Sequence, residues 1–565
     1  MIRPKRLRPS PALLAAMILG AGSFNAHGAT APPTPRLSTA GRWLTDPEGR
    51  VVIIHGSNAI ALVGDAQLGG AGADKSRWRA SIPHDVALAG FNGVRLIVFM
   101  DRIAPEPGRI DATYLDAVAK TVAAYKAEGI FVLLDLHQDE YGPSVGVRGM
   151  PGWMTLTDGR QRAPGLAFPN GYFHDPAVQA AFDNFWADKP AASGLGVQEA
   201  YLAAATALAG RFAREPAVFG LDLMNEPATG TPCSQPTPKA ADCPQLEDAL
   251  LAPFYAKAGR AIAAAAPQTI LFVEPFMLQG ALGVPIHTPM PGLARQGLSF
   301  HNYGPFRQTR MKVSAFALAD AAGRQAALLN TEWGNSDDAG DIAAQAQDFD
   351  DQMIPWLAWG REPLEAMVDP QAAPVRANRQ AVLRALARPY PAATAGTPAK
   401  LAFDADAGMF DYCWSTRGPD GVDRSGRITR IVMPMPSFPG GYRAQIAGGR
   451  ILSAPSAVMM LVRADRGADR SCVHAVRLGE LDPLTHGRAN AGPGGRLSLD
   501  SLLSDLLRDP EARGILDSRL PSLKSADATA LAPQASLRSL QPYLPEMSEA
   551  VAKQIDAELR ALPPH

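Results

Sequence analysis

Short apolar runs alternate with longer amphipathic stretches over a large part of the chain. Eight such runs lie between residues 51 and 360. Continuous apolar runs of this length are typical of strands buried on both faces, as in a parallel sheet. The runs are VVIIHGSN (51–58), VRLIVFM (94–100), FVLLDLH (131–137), VFGLDLMNE (218–226), ILFVEP (270–275), LSFHNY (298–303), ALLNTEW (327–333) and WLAW (356–359).

The segments between the runs have helical periodicity. Residues 111–129 begin at a candidate N-cap, Asp111, and end at Gly129, with an apolar stripe between them. The stripe consists of Tyr114, Leu115, Val118, Val122 and Tyr125. Eight strand–helix units in roughly 300 residues predict a (β/α)8 barrel of the α/β class. A doubly wound open sheet has the same alternation, but no Gly-x-Gly-x-x-Gly follows the first run.

The pattern changes near residues 387–398, where proline and glycine cluster. We therefore expect the barrel to occupy residues 35–386. Short β-like runs separated by turn residues predict a small β-sandwich at residues 387–482. Helical periodicity returns at residues 495–565 and predicts a small helical module at the end of the chain.

The N-terminus has the composition of a targeting segment. A basic stretch is followed by a short apolar one and by a small-x-small motif at Ala26–Gly28, so we expect residues 1–28 to be a signal peptide. The protein is then exported, to the periplasm or beyond. The 565 residues carry a formal net charge of −1, which gives no basic surface for nucleic acid.

Export affects the interpretation of the four cysteines. Cys233 and Cys243 lie ten residues apart, and Cys413 and Cys472 lie far downstream. In an oxidising compartment two local disulfides are the simplest interpretation. A metal site is the alternative, but no Cys-x-x-Cys pair or neighbouring histidine supports it.

Polar residues lie in or next to the predicted strands, mostly where each strand ends. In a (β/α)8 barrel the active site lies at this carboxyl-terminal face, so residues distant in sequence converge there. Taken singly, each has an ordinary structural role as a cap, an ion-pair partner or a packing residue. The set consists of Arg95, His137, Asp139, Asn225, Glu226, Glu274, His301, Tyr303, Glu332 and Trp359.

Two carboxylates at the ends of the fourth and seventh strands predict retaining glycoside hydrolysis. This reaction needs a proton donor and a nucleophile about 5–5.5 Å apart. Arg95 and Tyr303 are suited to keeping Glu332 ionised, whereas the acid must keep its proton. Asn225 is suited to bind the sugar 2-hydroxyl, and Trp359 offers an apolar face to a sugar ring.

The combination of Arg95, His137, Asn225-Glu226-Pro227, His301-x-Tyr303, Glu332 and Trp359 resembles glycoside hydrolase family 5. The resemblance implies that Glu226 is the acid/base and Glu332 the nucleophile, supported by Arg95 and His301. LLDLHQDEYG (133–142), the segment from Cys243 to Pro275 and NTEWG (330–334) are similar to endoglycoceramidases. One departure is that GSNAIALVGDAQ (56–67) contains no lysine, where those enzymes place one facing the sugar.

The resemblance implies a glycolipid substrate whose bond to ceramide is cleaved without metal or cofactor. His137, Asp139 and, more weakly, Glu274 are expected to bind sugar. The partners expected are a glycolipid or oligosaccharide and a transient membrane contact, with no obligate protein partner. Alternatives are a β-glucosidase or endo-β-glucanase acting on plain saccharides, a catalytically silent glycan-binding module, and a lipid-binding envelope protein.

Overall fold

The computed structural model of the chain describes residues 34–563 with internal gaps. The predicted signal peptide and the Cys233–Cys243 pair lie outside the described residues. The gaps are 65–77, 167, 233–245, 278, 281–282, 286, 305, 335–337, 360–378, 480, 482–496, 500, 502, 522, 524–536 and 542–545. In the part of the chain that is described, no helix combines the length and apolar character needed to cross a bilayer.

Three short strands precede the barrel and form an antiparallel sheet: β1 (Ser38–Ala40), β2 (Trp43–Thr45) and β3 (Val51–Val52). Leu44 and Val52 of this sheet pack against the residues that begin the barrel strands, such as Phe131 and Phe219. The sheet therefore covers the amino-terminal end of the barrel. The predicted strand at residues 51–58 is wrong in its extent, because Val51–Val52 pairs with β2 outside the barrel.

Eight parallel strands close into a barrel in the order β10-β11-β4-β5-β6-β7-β8-β9. They are β4 (His55–Ala59), β5 (Gly93–Phe99), β6 (Phe131–His137), β7 (Val218–Asp222), β8 (Ile270–Val273), β9 (Gln296–Asn302), β10 (Ala327–Trp333) and β11 (Trp356–Ala358). Nearly every residue of these strands is buried, as expected for strands covered on both faces. The predicted (β/α)8 barrel is confirmed, and the open-sheet alternative is excluded.

Helices follow most of the barrel strands and pack around them. In α3 the Asp111 carboxylate accepts from the Tyr114 amide, and the predicted stripe of five apolar residues is buried. The helices of this region are α1 (Ile82–Leu88), α2 (Met100–Ile103), α3 (Ala112–Ala127), α4 (Gly171–His174), α5 (Pro176–Trp186), α6 (Val197–Phe212), α7 (Ala252–Ala265), α8 (Arg307–Arg324), α9 (Ala339–Asp351) and α10 (Arg379–Leu386), with a 3-10 turn at Gly152–Met154 and a π-helical turn at Glu247–Leu251.

A β-sandwich follows the barrel, as predicted. Its two antiparallel sheets have the orders β12-β15-β18-β17 and β13-β14-β19-β16 and enclose a core that includes Phe410, Trp414 and Val462. Cys413 and Cys472 lie directly opposite each other on adjacent strands and form the predicted disulfide. The strands are β12 (Tyr390–Ala393), β13 (Thr397–Asp404), β14 (Met409–Ser415), β15 (Ile428–Val432), β16 (Tyr442–Ala447), β17 (Gly449–Ile451), β18 (Met459–Ala464) and β19 (Arg470–Arg477).

Polar and aromatic contacts fix the sandwich to the barrel. The Arg388 guanidinium donates to the buried Asp350 carboxylate at 2.6 Å. The Tyr390 hydroxyl donates to the Gly90 carbonyl at 2.9 Å, and its ring stacks on His55. His55 is enclosed between Tyr390 and Trp356, with ring centroids 4.0 and 4.2 Å away.

The end of the described chain is helical, as predicted. Its helices are α11 (Leu503–Arg508), α12 (Pro510–Arg519), α13 (Leu537–Leu540) and α14 (Glu549–Ala561). Leucines such as Leu503, Leu516 and Leu559 give this module its own apolar core. Phe306, which caps the start of α8, packs against that core.

Candidate active site

The strand ends bring most of the predicted site residues together at the carboxyl-terminal face of the barrel. Glu226 and Glu274 follow β7 and β8, His301 lies in β9, and Glu332 lies in β10. Hydrogen bonds and ion pairs connect nine of the ten predicted residues into two groups, one around Arg95 and one around His137, and Asp135 links the groups because it pairs with both of these residues. Trp359 joins the second group by stacking.

Glu226 and Glu332 lie close together, with His301 beside both. One ligand atom from each of the three residues lies within 4.8 Å of the others. The Nδ1 atom of His301 is 2.8 Å from Glu226 Oε1 and 3.6 Å from Glu332 Oε2. The oxygens of Glu226 and Glu332 that belong to this set are therefore no more than 4.8 Å apart, a close spacing like that of retaining glycosidases, whose two carboxyl groups lie roughly 5–5.5 Å apart.

The same three residues offer the oxygen and nitrogen donors that a transition metal ion accepts. An ion held by these atoms would occupy both carboxylates at once. Proton donation by one glutamate and nucleophilic attack by the other are therefore incompatible with a metal at this position.

Arg95 lies at the centre of the first group and is fully buried. Its guanidinium forms ion pairs with four carboxylates and also donates to the Asn58 and Asn225 side-chain oxygens. The four carboxylates are those of Asp135, Asp222, Glu274 and Glu332. A buried carboxylate needs such a partner because desolvation penalises its charge.

Glu332 is held by neighbours on two sides. Arg95 Nη1 donates to its Oε1 atom, and the Tyr303 hydroxyl donates to its Oε2 atom at 3.0 Å. One charged and one neutral donor thus hold the two oxygens of this carboxylate. They are the two contacts that the sequence predicted for it.

Glu226 is in a different environment. Burial raises its pKa above the ordinary value, the hydrogen bond and charge of His301 oppose that increase, and the Glu332 carboxylate adds to it. Glu226 has a raised pKa, whereas Glu332 is paired with an arginine. Two neighbouring carboxyl groups in such different environments can serve as an acid and a nucleophile.

The backbone at Glu226 is in the left-handed region, with φ of 42°, which is uncommon for a residue with a side chain. Gln138 holds this turn, because its Nε2 atom donates to the Asn225 carbonyl at 2.8 Å and to the Glu226 carbonyl at 2.9 Å. The side-chain amide of Asn225 in turn donates from Nδ2 to the Gln138 backbone carbonyl at 2.9 Å. Sequence reasoning missed Gln138, although it directly follows His137 at the same strand end.

His137 is the centre of the second group. Its Nδ1 atom is 2.7 Å from Asp135 Oδ2, and its Nε2 atom is 3.4 Å from Asp139 Oδ2. Burial alone would lower the pKa of His137, but these two carboxylates raise it to about 9. Its ring lies parallel to Trp359 with centroids 5.5 Å apart, and Arg148 pairs with Asp139.

Comparison with known proteins places the chain in a class. The family model described as Cellulase (glycosyl hydrolase family 5) matches residues 66–363, and that of the glycoside hydrolase family 5 C-terminal domain matches residues 388–477. The chain therefore belongs to glycoside hydrolase family 5, and the resemblance drawn from the sequence is confirmed. Both models end before the helical module.

Within that family the chain is similar to endoglycoceramidases. It is 31% identical over 463 residues to Endoglycoceramidase I of Rhodococcus hoagii (strain 103S), covering 77% of this chain and 87% of that protein. It is 24% identical to Endoglycoceramidase of Hydra vulgaris, covering 71% and 81%. Among solved structures, Endo-glycoceramidase II from Rhodococcus sp. as a lactosyl-enzyme intermediate matches with a TM-score of 0.62 and 25% identity, covering 77% of this chain and all of that one.

Proposed function

We propose that this chain is a retaining β-glycosidase that cleaves the linkage between the glycan and the ceramide of glycosphingolipids. The observation that carries the proposal is the Glu226–Glu332 pair, close together but in different electrostatic environments. The names of the similar proteins support the ceramide aglycone. Since ceramide is anchored in lipid, the enzyme would meet its substrate at a membrane surface.

The reaction proceeds in two displacement steps. Glu332 attacks the anomeric carbon while Glu226 gives its proton to the leaving oxygen, so that the glycosidic bond breaks as an ester to Glu332 forms. Glu226, now ionised, then removes a proton from water, and the oxygen of that water displaces Glu332. The products are the intact glycan and ceramide, and both glutamates return to their starting protonation.

The surrounding residues have separate roles in this scheme. Arg95 and Tyr303 hold the two oxygens of Glu332 in place for attack, and His301 orients both carboxyl groups. Asn225 uses one amide hydrogen to hold the turn before Glu226, which leaves the other for the sugar 2-hydroxyl. Trp359, which is partly exposed, offers a face to the sugar, and the buried His137, paired with Asp139, stacks against it.

The test is product analysis on a fluorescent glycosphingolipid beside cello-oligosaccharides. We expect free ceramide and an intact glycan from the lipid, with little cleavage of the saccharides. Glu332→Ala and Glu226→Gln should each lower turnover by about 10²-fold or more, since each step needs both groups. Glu247→Gln is the matched control, because Glu247 is also buried but pairs with Gln279 and the His287 amide.

Two results would contradict the proposal. If both variants kept wild-type rates, the two glutamates would not be the catalytic pair. If the wild-type enzyme cleaved cello-oligosaccharides and left the glycolipid intact, the β-glucosidase or endo-β-glucanase alternative would replace the ceramide assignment.

We also propose that the chain is exported. The basic and apolar composition of residues 1–28 supports this proposal. Expression in a bacterial host followed by mass determination of the recovered enzyme should show a mature chain that begins after Gly28. Recovery of the full-length chain from the cytoplasm alone would contradict it.

A further inference from the structure

Among the site residues predicted from the sequence, Glu274 is a buried carboxylate to which the two-step mechanism gives no role. It directly follows β8 and is 2% exposed. Its Oε2 atom accepts from the backbone amide of Glu226 at 3.0 Å. Its Oε1 atom accepts from Arg95 at 3.1 Å and lies 3.3 Å from His301 Nε2.

The first contact acts on the backbone of the acid/base. The left-handed turn at Glu226 directs its N–H toward the interior, where a donor without an acceptor would be destabilising. Glu274 supplies that acceptor with a charged oxygen, while Gln138 holds the two carbonyls of the same turn. Together the two side chains fix the backbone from which the Glu226 carboxyl group projects.

The second contact acts through His301. Glu274 faces the Nε2 side of the imidazole, and Glu226 faces the Nδ1 side. A carboxylate at one ring nitrogen fixes both the orientation and the protonation of the other nitrogen. Burial alone would lower the pKa of His301, but the carboxylates of Glu274 and Glu332 raise it well above the ordinary value.

We propose that Glu274 is a positioning residue for the acid/base, which it holds through the Glu226 amide and through His301. This role differs from the sugar-binding one expected from the sequence, because both oxygens of Glu274 already contact protein groups and almost none of its surface is exposed. The inference rests on the proposed function, in which Glu226 is the proton donor.

The test measures the Glu274→Gln variant on two substrates that differ in their leaving group. Glu247→Gln is the control variant. Ceramide needs a proton from Glu226 to leave, whereas a dinitrophenolate leaves without one. We therefore expect kcat/KM for the glycolipid to fall about 10- to 100-fold in Glu274→Gln, a partial loss of the roughly 10²- to 10⁴-fold that a positioned acid supplies. For a dinitrophenyl β-glycoside of the same glycan, kcat/KM should stay close to the wild-type value.

The pH profile is the second readout. Removing one negative charge from this buried network favours proton loss from the groups that remain. The alkaline limb of kcat/KM for the glycolipid should therefore move to lower pH in Glu274→Gln and stay in place in Glu247→Gln. A residue that served only the packing of the barrel would not move this limb.

The proposed function is established first and independently of Glu274. The wild-type enzyme must cleave both substrates, and Glu226→Gln must lose cleavage of the glycolipid. After that, an equal loss of Glu274→Gln on both substrates, a rise in KM alone or an unchanged rate would each overturn the positioning role. If Glu274→Gln does not fold, Glu274→Asp keeps the charge but not the reach. It should show the same leaving-group difference with the alkaline limb unmoved, and an equal loss on both substrates would overturn the proposal.

Discussion

Replacing Arg95 by methionine should destabilise the barrel and change how its stability depends on pH. Arg95 is fully buried and pairs with four carboxylates, so methionine fills most of the volume but leaves those charges without their shared cation. Breaking a buried ion pair by removing one partner typically costs about 3–5 kcal/mol. Because several carboxylates lose their partner at once, we expect a loss near the upper end, about 4–5 kcal/mol at neutral pH.

The sign of the pH effect follows from the same contacts. Burial raises the pKa of Asp222 well above its ordinary value, and Arg95 limits that increase. Without Arg95 the folded protein binds protons at its carboxylates more tightly than the unfolded chain does. The variant therefore regains stability as the pH falls, and its deficit relative to the wild type should shrink between pH 7 and pH 4.

Urea unfolding followed by near-ultraviolet circular dichroism at several pH values measures this difference. Arg50→Met is the control, since Arg50 is also buried but pairs chiefly with the single carboxylate of Asp46, outside the site. A deficit below about 1 kcal/mol at pH 7, or one that grows as the pH falls, would refute the reasoning, because the first is the size of a surface pair.

Three further perturbations have definite expected results. Replacing Cys413 and Cys472 by serine opens a loop with a sequence separation of 59. In the chain-entropy treatment, closing such a loop stabilises the fold by about 4 kcal/mol. Thermal unfolding of the sandwich should therefore occur at a lower temperature, without loss of kcat. Burial, and then Arg388, lower the pKa of His55 well below 6.5, so the wild type loses stability as the pH falls below 6.5, by up to about 1.4 kcal/mol per pH unit. His55→Phe should remove this part of the acid destabilisation. An unchanged slope of the unfolding free energy against pH in the variant would contradict this. Gln138→Ala leaves two buried carbonyls of the turn at Glu226 without their donor. In this variant kcat should fall about 10-fold or more with little change in KM. An unchanged kcat in steady-state assays would show that the turn holds without the Gln138 side chain.

The sequence predicted the features that depend on pattern. Continuous apolar runs, without the alternation of a half-buried strand, identified the barrel, and the turn-rich segments after residue 387 identified the sandwich. The contacts of Arg95 and Tyr303 with Glu332 were also predictable, because strand ends in this fold meet at one face. The extent of the first run was wrong, since hydrophobicity alone does not distinguish a barrel strand from a short strand covering the barrel end.

The sequence did not predict the residues that hold the reacting groups in place without reacting themselves. Asp135 and Asp222 lie inside apolar runs and Gln138 lies in a loop, so none has a distinctive pattern. Their importance depends on which hydrogen bonds they make across the barrel, and those partners are distant in sequence. The left-handed backbone of Glu226 is likewise visible only in three dimensions.

The buried network around Arg95 and His137 has a simple charge inventory. Its cationic groups are Arg95, Arg148, His137 and His301, the two histidines having raised pKa values. Its carboxyl groups are Asp135, Asp139, Asp222, Glu226, Glu274 and Glu332. Burial raises the pKa of Asp222 and of Glu226, and Arg95 and His301 respectively oppose that increase. Because the members lie in direct contact, a proton lost from one of them changes the proton affinity of its neighbours. The pH dependence of this enzyme is therefore a property of the ten groups together, of which the two reacting glutamates are only a part.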